Sequence, residues 1–370
     1  MNVLVVGHAP IHDANRDVYR ALAAGNINVA LLVPDRWKGI FGTVTVEPGG
    51  GVEVVARPIR GRCHSNMYWF AGGVRRVAER CRADVIYVDE DPAGFAAAQA
   101  AYAAERLRIG LVVLAVQNIY KRYPPPFGPI QRRVLGQAGA AVTNSHEATA
   151  TLQRRGYRGP VFEKPLTTDV TPLSAVRRNE VRARHGMRAS TFGYVGRLVP
   201  EKGIDVFLRA LAEVGEARAL VAGDGPQRRN LEALAGRLRI ADRVRFLGSL
   251  PPREAVELIG SLDALVLPSL TTRSWSEQFG RVLVEAMATG VPVIASRSGA
   301  IPQTIGDAGL LVTEGRPKEL ALAMGRVCDP ATARDLARRG LERAARHFTP
   351  RVVAASLERA FRSAAPAAAR

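Results

Sequence analysis

Cysteine is nearly missing from this chain. Three occur in 370 residues, Cys63, Cys81 and Cys328, with no metal-ligand spacing and in no even set. Neither a structural metal site nor a disulfide framework is expected, and the thiols read as free in a reducing compartment. Long apolar runs are absent as well. No stretch approaches the ~18–20 residues that cross a bilayer. The chain opens directly on strand-like residues 3–6, without a charged, cleavable leader. A cytoplasmic location is the expectation. A nicotinamide-type fingerprint is missing too, because a single glycine, Gly7, follows that strand.

Acidic residues are in deficit, 34 against 52 Lys and Arg, for a net charge of +18. The excess is spread along the chain. Residues 1–170 carry 21 basic against 14 acidic side chains, and residues 171–370 carry 31 against 20. Such a dispersed excess is not a nucleic-acid-binding tail, and no nucleic-acid motif or aromatic interleaving accompanies it. It does favour an anionic partner, either a nucleotide diphosphate or an acidic membrane surface touched peripherally from the inner face. What is present fits a folded globular protein: 47% hydrophobic and 23% charged residues. At 370 residues the chain is long enough for two domains.

Short apolar runs alternate with amphipathic stretches, the pattern of parallel strands joined by helical crossovers. Strands are expected over 3–6, 29–33, 84–88, 111–116 and 140–145, with helices near 16–24 and 93–105. Polar residues 164–184, with Pro165 and Pro172, read as a linker. A second series follows, with strands at 192–196, 219–223, 244–248, 264–268 and 292–296 and helices near 204–214 and 280–288. The fold class is therefore α/β, two doubly wound Rossmann-like domains in series. Residues 1–168 and 169–348 form the domains, and 349–370 form a basic amphipathic C-terminal element. Ligands of such sheets sit at the carboxyl ends of the strands, here in a cleft between the domains.

Three strings in the second half carry chemistry. GRLVPEKG at 196–203 follows a strand and precedes a helix. Gly196 permits a tight turn, and Arg197 and Lys202 place two cations beside a helix N-terminus, a combination suited to a diphosphate. A solvated basic turn is the bland alternative. SWSEQFGRVLVEAMATG at 274–290 sets Glu277 and Glu285 on either side of Phe279 and Gly280. Backbone N–H groups at the start of that helix face a phosphate, and the carboxylates accept hydroxyls. Glu277 reads equally as a helix-end carboxylate, whereas Glu285 lies in an apolar run where a carboxylate needs a partner or a ligand. Gly223, Asp224 and Gly225, in GDGP, end a strand where glycine allows close backbone approach.

Together with VRFLGSL and LVLPS, in this order over 191–313, these strings resemble the large retaining GT-B glycosyltransferase family. That family includes bacterial mannosyl-, glucosyl- and N-acetylglucosaminyltransferases. The resemblance implies roles at the matching positions. Arg197 and Lys202 hold and neutralise the departing diphosphate. Glu277 holds hydroxyls of the transferred sugar, and Glu285 binds the ribose. Backbone groups at Phe279, Gly280 and Leu283 contact the sugar and distal phosphate. Arg245 and Leu247, within 245–248, lie near the base. It further implies a nucleotide-sugar donor, UDP favoured over GDP, and an acceptor held by the first domain: a small molecule, a glycan or a lipid-linked glycan. The C-terminal helix returns to the first domain, no metal or cofactor takes part, and the leaving phosphate accepts the proton in a front-face attack.

The first half departs from the family's pattern. The loop after the first strand, GHAPIHDANRD, has no Gly-Gly pair. His8, His12 and Asp13 stand there as candidates for acceptor hydroxyls. Gln117 and Asn118 occupy a strand end where relatives carry a histidine. KRYPPPF at 121–127 reads as a stiffened acceptor loop. The acidic run at 88–91 imitates a metal-binding pair, but Asp91 precedes Pro92 and is expected to cap a helix. A nucleotide-sugar epimerase on the same fold, or a non-catalytic nucleotide-sugar-binding subunit, are the competing readings. The epimerase requires acid–base side chains, and the second half offers only His185 and His347.

Overall fold

The computed structural model describes residues 1–39, 42–187 and 190–366. The chain divides into two units, Met1–Thr167 with the segment from Pro350 onward, and Thr168–Thr349. The first contains β1 (Asn2–Val6), β2 (Asn28–Pro34), β3 (Arg36–Gly39), β4 (Gly42–Thr45), β5 (Glu53–Arg57), β6 (Ile59–Gly61), β7 (Tyr68–Phe70), β8 (Val85–Val88), β9 (Gly110–Leu114), β10 (Ala140–Thr143) and β11 (Val161–Glu163). Seven of these pair in the order β11-β10-β9-β8-β1-β2-β5, every pair parallel. The others form two small antiparallel hairpins, β3-β4 and β6-β7. The second unit contains β12 (Thr191–Val195), β13 (Arg218–Ala222), β14 (Val244–Gly248), β15 (Ala264–Leu267), β16 (Val293–Ser296) and β17 (Leu310–Val312). These form a parallel sheet in the order β14-β13-β12-β15-β16-β17.

Both sheets are covered on two faces, which is why their central strands read as uninterrupted apolar runs. All four residues of β8, β10, β15 and β16 are buried. Each sheet also reverses its winding direction once, between β1 and β8 in the first unit and between β12 and β15 in the second. Loops leaving such neighbouring strands diverge and open a crevice at their carboxyl ends.

The C-terminal helix Pro350–Ala364 packs on the first unit, against helix Asp17–Ala23 and strands β9 to β11. Val353, Leu357, Ala360 and Phe361 form its buried stripe, and the Phe361 ring lies 5.5 Å from that of Tyr87. Close approach at its end requires Gly110, where an added Cβ would lie 2.6 Å from the Ala364 carbonyl oxygen. Ser356 Oγ donates to the Glu163 carbonyl at 2.6 Å. Loss of one such bond costs about 1 kcal/mol, so Ser356→Ala is expected to lower the urea midpoint of the first unit modestly and leave nucleotide affinity unchanged. Positions 367–370 of this expected element lie outside the described residues.

The linker expected over 164–184 is half helix. Ala175–Arg184 is helical, with Ser174 Oγ accepting the Arg177 N–H at its start. Its apolar face is nearly absent, since Val181 is the only residue buried there. Arg177 pairs with Glu257 at 2.6 Å and Arg182 with Asp263 at 3.2 Å. Ion pairs to helix Pro252–Ser261 and to Asp263 just after it replace the periodic apolar stripe, so periodicity does not reveal it.

Candidate active site

The crevice of the second unit is built by glycine loops stacked on one another. After β12, β13 and β14 the chain is knitted by backbone hydrogen bonds. Gly196 N–H donates to the Ala222 carbonyl at 3.0 Å, Leu198 N–H to Asp224 at 2.9 Å, and Gly223 N–H to Gly248 at 2.7 Å. A Cβ on Gly223 would lie 1.8 Å from the Gly196 oxygen, and one on Gly225 would lie 2.5 Å from the Leu198 oxygen. Sequence suggested that these glycines admit a ligand; what they admit here is the backbone of the adjacent loop. Asp224 is exposed, with its carboxylate on the Gly225 N–H at 2.8 Å.

Lys202 ends the short 3-10 turn Pro200–Lys202, and Gly203 follows with φ +63°. A side chain at Gly203 would strike the Pro268 carbonyl, with Cβ to O at 2.1 Å. That close approach sets the turn against the loop leaving β15. Lys202 Nζ reaches Glu277 Oε2 at 2.6 Å, and Ser269 Oγ donates to the same oxygen at 2.9 Å. The ammonium also lies 4.9 Å from the centroid of the Trp275 ring, in cation–π range. Only 14% of the Lys202 side chain and 10% of the Glu277 side chain are exposed. Such a pair is held in low dielectric, where each charge depends on the other. Ser269 and Trp275 complete the group without having been singled out from sequence. The signal was faint: both stand close before Glu277 in the strings LVLPS and SWSEQFG.

The segment around Glu277 is fixed at both ends. The Glu277 carbonyl accepts the Ala300 N–H at 2.9 Å, and the Phe279 carbonyl accepts Thr304 Oγ1 at 2.7 Å. Gly280, at φ +81°, is the N-cap of helix Arg281–Ala288. Its conformation turns the chain so that the first helical N–H groups emerge beside Glu277's segment. The Phe279 ring is buried edge-on against Phe348, 5.8 Å between centroids. Leu283 requires a correction. Its side chain is fully buried and its N–H already donates to the Gly280 carbonyl at 2.9 Å.

Glu285 is half-buried on the same helix, 4.0 Å from Arg281 Nε. Burial raises its pKa above the ordinary glutamate value, partly opposed by Arg281. Arg197 is exposed, and its carbonyl accepts the Tyr194 hydroxyl at 2.8 Å. Burial raises the pKa of that hydroxyl, Glu277 adds to the rise, and Arg197 opposes it. Both charges are thus felt at one phenol. Arg245 is also exposed, but its charge acts on His185, whose pKa is lowered first by burial and then by Arg245. Arg245 therefore stands beside the end of helix Ala175–Arg184, and half-buried Leu247 lies nearer the strand's carboxyl end.

The first unit has its own cluster at the β1–β8 reversal. His8 donates its backbone N–H to Glu90 Oε1 at 2.7 Å, and its Nδ1 contacts the same oxygen. The Tyr68 hydroxyl adds a third bond to it, 2.7 Å. The His8 ring stacks on Trp37 with centroids 4.3 Å apart. Burial would lower the imidazole pKa, but Glu90 and Asp89 outweigh it and the net shift is upward. His12 and Asp13 are structural ties. His12 Nδ1 lies 2.9 Å from Glu47, the Asp13 N–H donates to Glu47 at 2.7 Å, and the Asp13 carboxylate is taken up by Arg16 and Arg20. A buried arginine needs that partner, which removes Asp13 from the candidates for hydroxyl binding.

Gln117 Nε2 lies 3.4 Å from Asp91 Oδ2, and the Tyr123 hydroxyl donates to the same oxygen at 2.9 Å. The proline-rich loop is thereby anchored to the strand end. Asn118 precedes it. Asp91 does not cap a helix: its Oδ1 accepts the Ala93 N–H at 2.9 Å in a turn, and Gly94 is the N-cap of helix Phe95–Leu107. Asp89 is engaged by Lys164 at 3.1 Å and by the hydroxyls of Tyr19 and Tyr87. Among the described residues no group of three His, Cys, Asp or Glu side chains could hold a metal ion.

Comparison with known proteins follows the same line. Residues 178–343 match the family model for glycosyl transferases group 1. The chain is 33% identical over 217 residues to a 2-deoxystreptamine glucosyltransferase of Streptomyces kanamyceticus, covering 54% of each chain. It is 31% identical over 287 residues to a D-inositol 3-phosphate glycosyltransferase of Segniliparus rotundus, covering 70% of this chain and 62% of that one. The matched stretch spans about half the length of the curated relatives. Among solved structures, the sucrose-phosphate synthase of Thermosynechococcus elongatus superposes with a TM-score of 0.73 at 20% identity, over 98% of both chains. HepE of Anabaena in complex with UDP superposes with a TM-score of 0.72 at 20% identity, over 98% of this chain and 100% of that one. At these identities the structural likeness speaks for the fold, that of the GT-B glycosyltransferases. The chain thus has two parallel-sheet Rossmann-like units, and the second of them carries the sequence pattern of the group 1 glycosyl transferases.

Proposed function

We propose that this chain is a retaining, metal-independent hexosyltransferase that takes a sugar from a nucleotide-diphosphate donor held by the second unit. The observation that carries the reading is the Lys202–Glu277 pair at 2.6 Å, fixed by Ser269 at the carboxyl end of β15. An ammonium and a helix start at a strand-order reversal suit a diphosphate. As the sugar–phosphate bond breaks, negative charge grows on the departing diphosphate. Lys202 and Arg197 stabilise it, Glu277 holds hydroxyls of the sugar, and Glu285 holds those of the ribose. The phosphate oxygen takes the acceptor's proton. UDP is favoured over GDP, a choice supported by the UDP and UDP-glucose complexes of HepE. The acceptor, a small molecule, glycan or lipid-linked glycan, lies against the first unit, with His8, Gln117 and Asn118 as its contacts. The basic charge supports a cytoplasmic enzyme with peripheral contact to acidic membrane.

Turnover of UDP-glucose in the presence of EDTA tests the central part. Undiminished transfer is expected. Complete loss, restored by manganese, would instead show that a divalent cation takes part in the transfer.

Glu285 gives a pH signature. Burial raises its pKa above 4.5, so protonation on acidification removes a hydroxyl acceptor earlier than for an exposed glutamate. The affinity for UDP-glucose, whose diphosphate diester does not titrate there, is expected to fall as pH drops through this raised value. Glu285→Gln should bind more weakly at neutral pH and show a flat profile. An unchanged acid limb in that variant places the titrating group elsewhere.

An epimerase remains the second reading, favoured by the His8–Glu90 pair, in which the two carboxylates Glu90 and Asp89 shift the imidazole pKa upward. Incubating UDP-glucose with the chain and no acceptor separates the two. Accumulation of an epimeric UDP-sugar supports the epimerase, whereas its absence supports the transferase.

A further inference from the structure

A cavity of about 390 Å³ lies in the second unit between helix Ile204–Ala212 and helix Arg228–Arg237. Its size falls within the roughly 300–1,000 Å³ of small-molecule sites. Nothing in the donor-site reading uses it. The floor is apolar: Ile204, Leu231 and Leu234 line it and are at most 6% exposed. Asp205, Gln227 and Asn230 also line it, with Asn230 Nδ2 donating to Gln227 Oε1 at 3.3 Å, which leaves the Gln227 amide NH2 and the Asn230 amide oxygen for a ligand. Two cations, Arg209 and Arg237, complete the lining, and neither pairs with a carboxylate among the described residues. Most other arginines on this unit's helices have such partners, as Arg177, Arg182 and Arg228 do.

We propose that this cavity is a second ligand site, separate from the donor pocket, for a phosphorylated sugar. Each part of the lining answers to one part of such a molecule. Unpaired guanidinium groups hold a phosphate through charge-assisted bonds. A carboxylate and two amides between them supply both acceptors and donors for hydroxyls. An apolar floor takes the C–H face of a pyranose ring. A bare inorganic anion would leave the amides and Asp205 unused, and an uncharged sugar would leave both arginines unused. The site shares a wall with the diphosphate loop. Val199 and Pro200 line the cavity immediately before Lys202, and the Gln227 N–H donates to the Leu198 carbonyl at 3.0 Å.

The test is calorimetric titration of the full chain with glucose 6-phosphate, first without nucleotide and then with UDP at saturation. One-to-one binding is expected in both. The Arg209→Ala/Arg237→Ala double variant should bind at least about tenfold more weakly, the loss expected for charge-assisted bonds. Both side chains are exposed, so folding is not at stake. Lys202→Ala should leave the affinity unchanged, and glucose or inorganic phosphate alone should bind more weakly than the ester. Displacement by UDP, or full binding in the double variant, overturns the proposal. So does the absence of binding, or inorganic phosphate binding as tightly as the ester. The nucleotide-free titration reads independently of the donor reading, so failure of one is distinguishable from failure of the other.

Discussion

Replacing Lys202 by alanine is expected to lower kcat/KM for sugar transfer by about 10²- to 10³-fold, roughly 3–4 kcal/mol, the loss typical of one preorganised donor at a developing charge. Two effects add. The departing diphosphate loses a cation, and Glu277, 7% exposed, loses the ammonium 2.6 Å from its carboxylate. The first effect grows as the bond breaks, so kcat should fall more than KM rises. The second is a ground-state effect and should appear as weaker sugar binding through a less ordered Glu277. A double-mutant cycle with Glu277→Gln separates them, since residues in direct contact do not act additively. If Lys202→Ala retains kcat/KM within about threefold, less than 1 kcal/mol, Lys202 does not face the leaving group.

In the first unit the corresponding change is Lys164→Met, and its effect falls on folding. Lys164 Nζ lies 3.1 Å from Asp89, with 12% and 8% of the two side chains exposed. Removing one member of a buried pair costs about 3–5 kcal/mol, because the other charge is left in a poor solvent. Burial by itself would raise the Asp89 pKa, but Lys164, Tyr19 and Tyr87 outweigh it and hold the carboxyl below the usual aspartate value of 3.8. The pair's contribution is therefore complete above the unfolded aspartate pKa and is lost as pH falls through the lower folded value. In the variant only the Tyr19 and Tyr87 hydroxyls still oppose burial, so the Asp89 pKa rises from its lowered value. The destabilisation measured by urea unfolding should be largest at neutral pH and shrink on acidification. Adding Asp89→Asn should recover part of it at neutral pH. A pH-independent loss would indicate packing of the lysine stem and not its charge.

The parallel sheets were legible because both faces of each are covered, so their strands announce themselves as short apolar runs. β8, β10, β15 and β16 fall within one or two residues of where those runs lie. Two kinds of element were not. Helix Ala175–Arg184 is held by ion pairs to Glu257 on a neighbouring helix and to Asp263 just after it, and carries almost no apolar period. The hairpins β3-β4 and β6-β7 are short and mostly exposed, with few buried anchors, Trp37 in the first and Tyr68 and Phe70 in the second. Within the site, Lys202, Glu277 and Gly280 stand in contiguous strings and were visible as a group. Ser269 and Trp275 were not, because their importance lies in what they touch across a loop. His12 and Asp13 looked like ligand groups because the sequence does not show that Glu47 and Arg20 return to occupy them. A polar side chain in a loop carries the same signature whether its partner is a substrate or a distant part of the chain.

The central claim is that the second unit grips a nucleotide diphosphate through Lys202 and the start of helix Arg281–Ala288. Thermal melting of the full chain with UDP and with GDP, each with EDTA and with manganese, tests it most directly. Ligand bound only to the native state raises the melting temperature by mass action. UDP should raise it in EDTA, GDP should raise it less, and Lys202→Ala should reduce the shift. No shift from either nucleotide under either condition contradicts the assignment.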